Sequence, residues 1–169
     1  MKNLFLLAAF VCFGTMYSQQ GLKFGIQGGL AVNEFADATS VILGADFGHM
    51  WAVNETIDLG VMTGYIHGFA EKYGTEDVLI DLPTIQFLPI AASLRIWGSN
   101  SFSFGADIGT ALGLNEGNDG GFYYRPQIGF LMGPYTEFNI SYTGIQLDDA
   151  SWNTVTIGIV YTLELKQPY

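Results

Sequence analysis

The sequence predicts an all-β protein, an eight-stranded antiparallel up-and-down transmembrane β-barrel. Three observations point there. Hydrophobic residues make up 49% of the chain and charged residues only 13%, whereas a soluble domain carries roughly a quarter charged residues. Beyond the N-terminal segment no run of eighteen apolar residues occurs, so a helical span is not available. The dominant pattern has period two, with large apolar groups on one face and glycine or polar residues on the other, as a lipid-facing strand around a lumen requires.

The first twenty residues stand apart. Lys2 supplies a positive start, Leu4 to Phe13 form an apolar core, and small Ser18 precedes Gln19. That run is too short to cross a bilayer and has the layout of a secretory signal peptide, so residues 1–18 are expected to be cleaved and 19–169 to form the barrel domain. The sole cysteine, Cys12, falls in the removable part. Disulfides, thiolate catalysis and cysteine metal sites are thereby excluded from the mature chain.

Eight alternating segments follow. The first sets Leu22, Phe24, Ile26, Gly28, Leu30 and Val32 against Lys23, Gly25 and Gln27. The second runs over 41–53 and the third over 57–69. The fourth, about 83–97, changes phase between Phe87 and Ile90, which predicts a bulge at Leu88-Pro89 and leaves Arg95 inward. The fifth covers 102–114, the sixth about 122–132, the seventh about 136–147 and the eighth about 154–165. All are long enough for a tilted membrane strand, which needs about 9–11 residues.

The connections alternate in length. Residues 54–56, 98–101 and 133–135 are short, while 33–39, 70–82, 115–121 and 148–152 are longer. Short periplasmic turns opposite longer outer loops are the expected asymmetry, and an even strand count puts both termini in the periplasm of an outer-membrane protein. Glu34, Asp37, Glu71, Glu76, Asp77, Asp81, Glu116, Asp119, Asp148 and Asp149 all lie in the longer set, so the formal charge of −10 is concentrated on one rim. Nucleic acid, which needs a basic surface, is excluded as a partner.

Aromatic residues fall near both ends of the segments. Trp51, Trp97, Phe102, Tyr135 and Phe138 are at the short turns; Phe69, Tyr124 and Trp152 are at the long loops. They are expected to form two interfacial belts against outer-membrane lipid and lipopolysaccharide. The inward phase holds Lys23, Asp46, Asp58, Arg95, Asp107, Arg125 and Glu137, expected to form a salt-bridged lumen network because an unpaired buried charge is costly.

The alternating hairpins, together with IQFLPIAASLRIW followed by SFSFGADIGTALGLN, resemble the PorT-like and OmpX-like small outer-membrane barrel proteins over the whole mature chain. The resemblance is one of pattern and brings no catalytic motif. Such barrels often end on an aromatic residue; here Tyr169 follows Pro168, and the interior Tyr161-Leu163 pair is the other candidate for that role.

Sites of other kinds find little support. His49 and His67 have no serine two positions away on the same face, as a lipid hydrolase would want, although a serine across the strands is left open. The glycines at 25–29 precede no helix, and residues 115–120 lack the spacing of a calcium loop. No cofactor or metal is expected. The function that best fits is a non-enzymatic structural or interaction component, an accessory subunit meeting another outer-membrane protein through the barrel flank. A narrow channel or small-molecule carrier is the alternative, ahead of a lipid-modifying enzyme. Outward Gly28, Ala45, Thr63, Ala92, Ala106 and Thr110 are the flank positions open to close approach.

Overall fold

The computed structural model describes residues 20–32, 35–36, 39–70, 72–75, 78–81, 84–148 and 150–163, with the backbone path alone for 72–75 and 78–81. The expected signal segment and Tyr169 lie outside the described residues.

Strands β1 (Gly21–Val32), β2 (Thr39–Ala52) and β3 (Ile57–Ala70) open the chain. A small hairpin, β4 (Lys72–Thr75) and β5 (Val78–Asp81), lies within the longest connection. The barrel continues with β6 (Ile85–Ser99), β7 (Phe102–Gly113), β8 (Gly121–Leu131), β9 (Thr136–Gln146) and β10 (Ser151–Leu163). Eight of these strands close in the order β1-β10-β9-β8-β7-β6-β3-β2, every pair antiparallel. The closing ladder runs from Leu22 opposite Leu163 to Val32 opposite Asn153. Closure leaves the barrel no strand edge to satisfy.

Side chains of one parity point into the lumen and are buried; those of the other parity form an exposed apolar wall that includes Ile26, Leu43, Val61, Ile90, Ile108, Ile128, Ile140 and Ile157. That arrangement inverts the soluble case, in which the wet face is polar. The short turn after β2 is fixed by Asn54, whose Oδ1 accepts from the backbone amides of Thr56 and Ile57, both at 2.8 Å. The long connection after β7 folds back on β6: the amide of Gln86 donates to Asn115 Oδ1 at 2.7 Å, and Asn118 Nδ2 donates to the Gln86 carbonyl at 3.2 Å. Gly117 and Gly120, both at φ +77°, supply the left-handed backbone of that bend.

The bulge expected at Leu88-Pro89 is absent. The β6–β7 register passes through Leu88 opposite Leu112 and Pro89 opposite Ala111 without a shift. On the other side, the β3–β6 ladder keeps the same offset from Thr63–Ile90 to Ile66–Phe87. Proline's missing donor is met by a local gap in pairing instead of an inserted residue, and Thr63 Oγ1 donates to the Pro89 carbonyl at 2.9 Å. Pro126 sits in a similar gap of the β8–β9 ladder, between Tyr124–Gly144 and Gln127–Ser141. Phe87 therefore shares the inward parity of Arg95. The register shifts that do occur lie at Thr39/Val41 and Trp97/Ser99.

Two belt assignments are also corrected. Trp97 and Trp152 are each 0% exposed and point into the lumen, whereas Trp51 is 49% exposed on the outer wall. Both are near strand ends, as a belt residue should be, but parity decides the face. Trp97 is two residues from buried Arg95, and Trp152 two from buried Thr154.

Candidate functional site

The lumen is filled in three layers. In the long-loop half lies an apolar core made of Ala31, Ile42, Met62, Ile66, Phe87, Ala91, Ala111, Tyr123, Ile145 and Trp152. Phe87 and Trp152 pack at a tilt with ring centroids 5.1 Å apart, and Phe35 and Leu147 from the loops pack on the same cluster. That half of the lumen is filled by apolar side chains.

Below it lies a polar girdle. Asp46 Oδ1 and Oδ2 accept from Gln27 Nε2 at 3.2 and 3.1 Å, and Oδ2 also accepts from Arg125 Nη1 at 2.7 Å. Arg125 Nε donates to Asp107 Oδ2 at 2.9 Å, and Gln127 Nε2 to the same oxygen at 2.8 Å. Arg95 Nη1 donates to Asp107 Oδ1 at 3.1 Å, and Ser93 Oγ also donates to that oxygen. On the far side, Thr156 Oγ1 donates to Gln27 Oε1 at 2.8 Å and stands 2.7 Å from Ser141 Oγ. One connected network thus ties β9, β10, β1, β2, β8, β7 and β6 together.

Asp107 is the hub. Its carboxylate is fully buried and receives two guanidinium groups, a hydroxyl and an amide. Enough donors converge there to offset the desolvation of a buried charge, which is the condition for such a group to persist.

A second cluster lies at the short-turn end. Lys23 Nζ is 3.7 Å from Glu137 Oε2, and Ser103 Oγ donates to Glu137 Oε1 at 3.3 Å. Trp97 Nε1 donates to Asp58 Oδ2 at 2.8 Å. Space for this layer comes from glycine. A Cβ on Gly129 would lie 2.0 Å from Glu137 Oε1, and one on Gly105 would lie 2.7 Å from Arg95 Nη1. A residual lumen cavity of about 30 Å³, room for a water or two, is bounded by Lys23, Asp46, Ser93, Arg95, Arg125 and Gln127.

All seven lumen charges read from the sequence face inward, in two groups: Asp46, Arg95, Asp107 and Arg125 in the girdle, and Lys23, Asp58 and Glu137 toward the short turns. Neutral members of the network, Gln27, Ser93, Ser103, Gln127, Ser141 and Thr156, were not singled out by sequence. The signal was their parity, which all but Thr156 share with a charge two or four residues along the same strand. Of the remaining aromatic positions, Trp51, Phe69 and Tyr135 are exposed, while Phe102, Tyr124 and Phe138 are half-buried on the outward parity.

The histidines have no catalytic partner among the described residues. His67 pairs across the strands with Leu43 and Gln86, and its Nδ1 meets Tyr65 Oη at 3.1 Å. His49 pairs with Leu22 and Val61 and stacks on Trp51 at 4.5 Å. Neither faces the serine that acyl transfer would require.

No protein-family model matches the sequence, and no curated protein matches it at a significant level. Solved structures do match in fold. The chain is similar to a de novo designed transmembrane β-barrel, with TM-score 0.57 at 15% identity, covering 88% of this chain and all of the other. It is equally similar to Ail, the attachment invasion locus protein of Yersinia pestis, with TM-score 0.57 at 17% identity and coverage of 88% and 100%. A crystal structure of Ail with the heparin analogue sucrose octasulfate gives TM-score 0.55 at 15% identity, again covering 88% and 100%. The fold is that of the small eight-stranded transmembrane barrels.

Proposed function

We propose that this chain is a non-enzymatic outer-membrane barrel that works through its outer wall, as a structural or interaction component and accessory subunit of a larger outer-membrane assembly. The observation that carries the reading is the filling of the lumen. Trp97 and Trp152 close opposite ends of it, with a charged girdle and an apolar core between them. A barrel so filled offers its partners only its rims and its flank. Eight strands leave an interior just wide enough for side chains, and here side chains occupy it.

In this reading the signal peptide delivers the chain to the periplasm, the short turns and both termini face that side, and the acidic long connections face outward. The lumen network holds the wall in register. The kinship is with the PorT-like and OmpX-like barrels. Ail has been solved with the heparin analogue sucrose octasulfate, but the long connections of this chain are acidic and would repel sulfate. Contact with lipopolysaccharide phosphates would need bridging divalent cations for the same reason. A channel or carrier is disfavoured by the corked lumen, and a lipid-modifying enzyme by the surroundings of the histidines.

Purification from native membranes in mild detergent, with an affinity tag on an outer loop, tests the accessory role. A partner barrel or envelope protein recovered in fixed stoichiometry supports it; recovery of this chain alone after in-membrane cross-linking overturns it.

A further inference from the structure

The outer wall is not uniform. A groove of about 980 Å³ crosses it over β10, β1 and β2, floored at Gly28 and flanked by Ile26, Leu30, Leu43, Val155 and Ile157. Gly28 faces Leu43 on one neighbouring strand and Ile157 on the other, so a missing side chain sits between two large ones. The groove runs along β1 from Ile26 to Val32, the half of the wall nearest the long loops.

Its length along the strand, six residue steps at about 3.3 Å, is roughly 20 Å. Half of a bilayer's hydrocarbon core is about 15 Å, which along a strand tilted by about 45° becomes roughly 21 Å. The groove is therefore about as long as the path of one leaflet's hydrocarbon along a tilted strand. The backbone beneath it is paired with β10 along its whole length and with β2 from Ile26 to Gly29, so the floor around Gly28 offers a ligand no free polar group. Above it the long connections are acidic and carry no basic cluster to grip a phosphate.

From this we propose that the groove holds one acyl chain of a membrane lipid, recognised by shape and not by headgroup. The inference rests on the flank-working, membrane-embedded reading above, and adds that one segment of the flank is committed to lipid.

Gly28 makes the test practicable. A Cβ there would meet only Leu43 Cδ2 at 3.5 Å and the Ile42 carbonyl at 3.7 Å, ordinary contacts, so Gly28→Leu fills the groove without disturbing the barrel. The control is Ala106→Leu on β7, the strand opposite β1 in the ring. Delipidated barrel in detergent is titrated with dimyristoyl phosphatidylcholine or dimyristoyl phosphatidylglycerol and examined by native mass spectrometry. The expected result is one retained lipid per barrel, alike for both headgroups, unchanged in Ala106→Leu and weakened about tenfold in Gly28→Leu, since the chain gains only packing contacts over detergent. No stoichiometric adduct, equal retention by Gly28→Leu, or a protein dimer that excludes lipid would each overturn it. Failure of the wild type to insert into lipid nanodiscs would instead refute the membrane reading itself, and is scored separately.

Discussion

Arg125 on β8 donates from Nη1 to Asp46 Oδ2 at 2.7 Å, and β2, which carries Asp46, is the strand diametrically opposite β8 in the closed ring. The same guanidinium turns Nε to Asp107 on the neighbouring strand β7. One side chain thus spans the lumen and braces two walls. Removing it leaves two carboxylates facing each other with fewer donors, while Asp107 keeps only Arg95 as a charged partner. Arg125→Met is expected to lower stability by about 3–5 kcal/mol, the cost of breaking a buried ion pair from one side. Guanidinium titration of the refolded barrel measures it. Asp46→Asn, at a less buried site, should cost less.

Adjacent glycines in β1 make a sharper test of wall geometry. A Cβ on Gly29 would lie 2.0 Å from the Val155 carbonyl oxygen and 2.7 Å from Thr156 Cα, so backbone must move. Gly29→Ala should cost about 1–3 kcal/mol or prevent refolding. Gly28→Ala, one position away and making only ordinary van der Waals contacts, should stay within about 0.5 kcal/mol. Denaturant midpoints of the two variants compare them directly, and equal effects would contradict the assigned faces.

The three tryptophans should differ in their contact with lipid. Trp51 lies on the outer wall, while Trp97 and Trp152 are fully buried in the lumen. In single-tryptophan variants reconstituted with brominated phospholipid, emission from Trp51 should be quenched and emission from the other two should persist. Quenching of Trp97 would restore it to the belt.

Trp97 also bonds. Trp97→Phe keeps an aromatic ring at the short-turn end and removes the donor to Asp58 Oδ2. Loss of a hydrogen bond to a charged group predicts about 1.5–3 kcal/mol of destabilisation, read from the same unfolding titration. Trp51→Phe, on the wall, should change little.

The barrel was legible in the sequence because period two is a local signal: each strand announces its own faces, and the turns announce the ends. The seven lumen charges followed from parity. Residue chemistry misleads where it conflicts with parity. An outward Phe87, suggested by its apolar side chain, requires a bulge at Pro89; the unbroken β6–β7 register puts Phe87 inside, because the lumen core at that end is itself apolar. Depth along the strand suits Trp97 and Trp152 to the belts, but each shares the parity of a buried polar neighbour two residues away. The trans-lumen pairing of Asp46 with Arg125 could not be read from a pattern that is local, since it depends on how eight strands close. Nor could the groove at Gly28, which needs the neighbours that closure brings to it.

The lumen of this membrane barrel is shut by its own side chains. Single-channel recording of the purified, folded wild-type protein in planar bilayers tests it most directly, with insertion verified on the same sample. An unbroken baseline is expected at every voltage the bilayer withstands, because ions meet packed side chains from Trp97 to Trp152. Reproducible stepwise conductance from the wild type would contradict it and return the channel reading to first place.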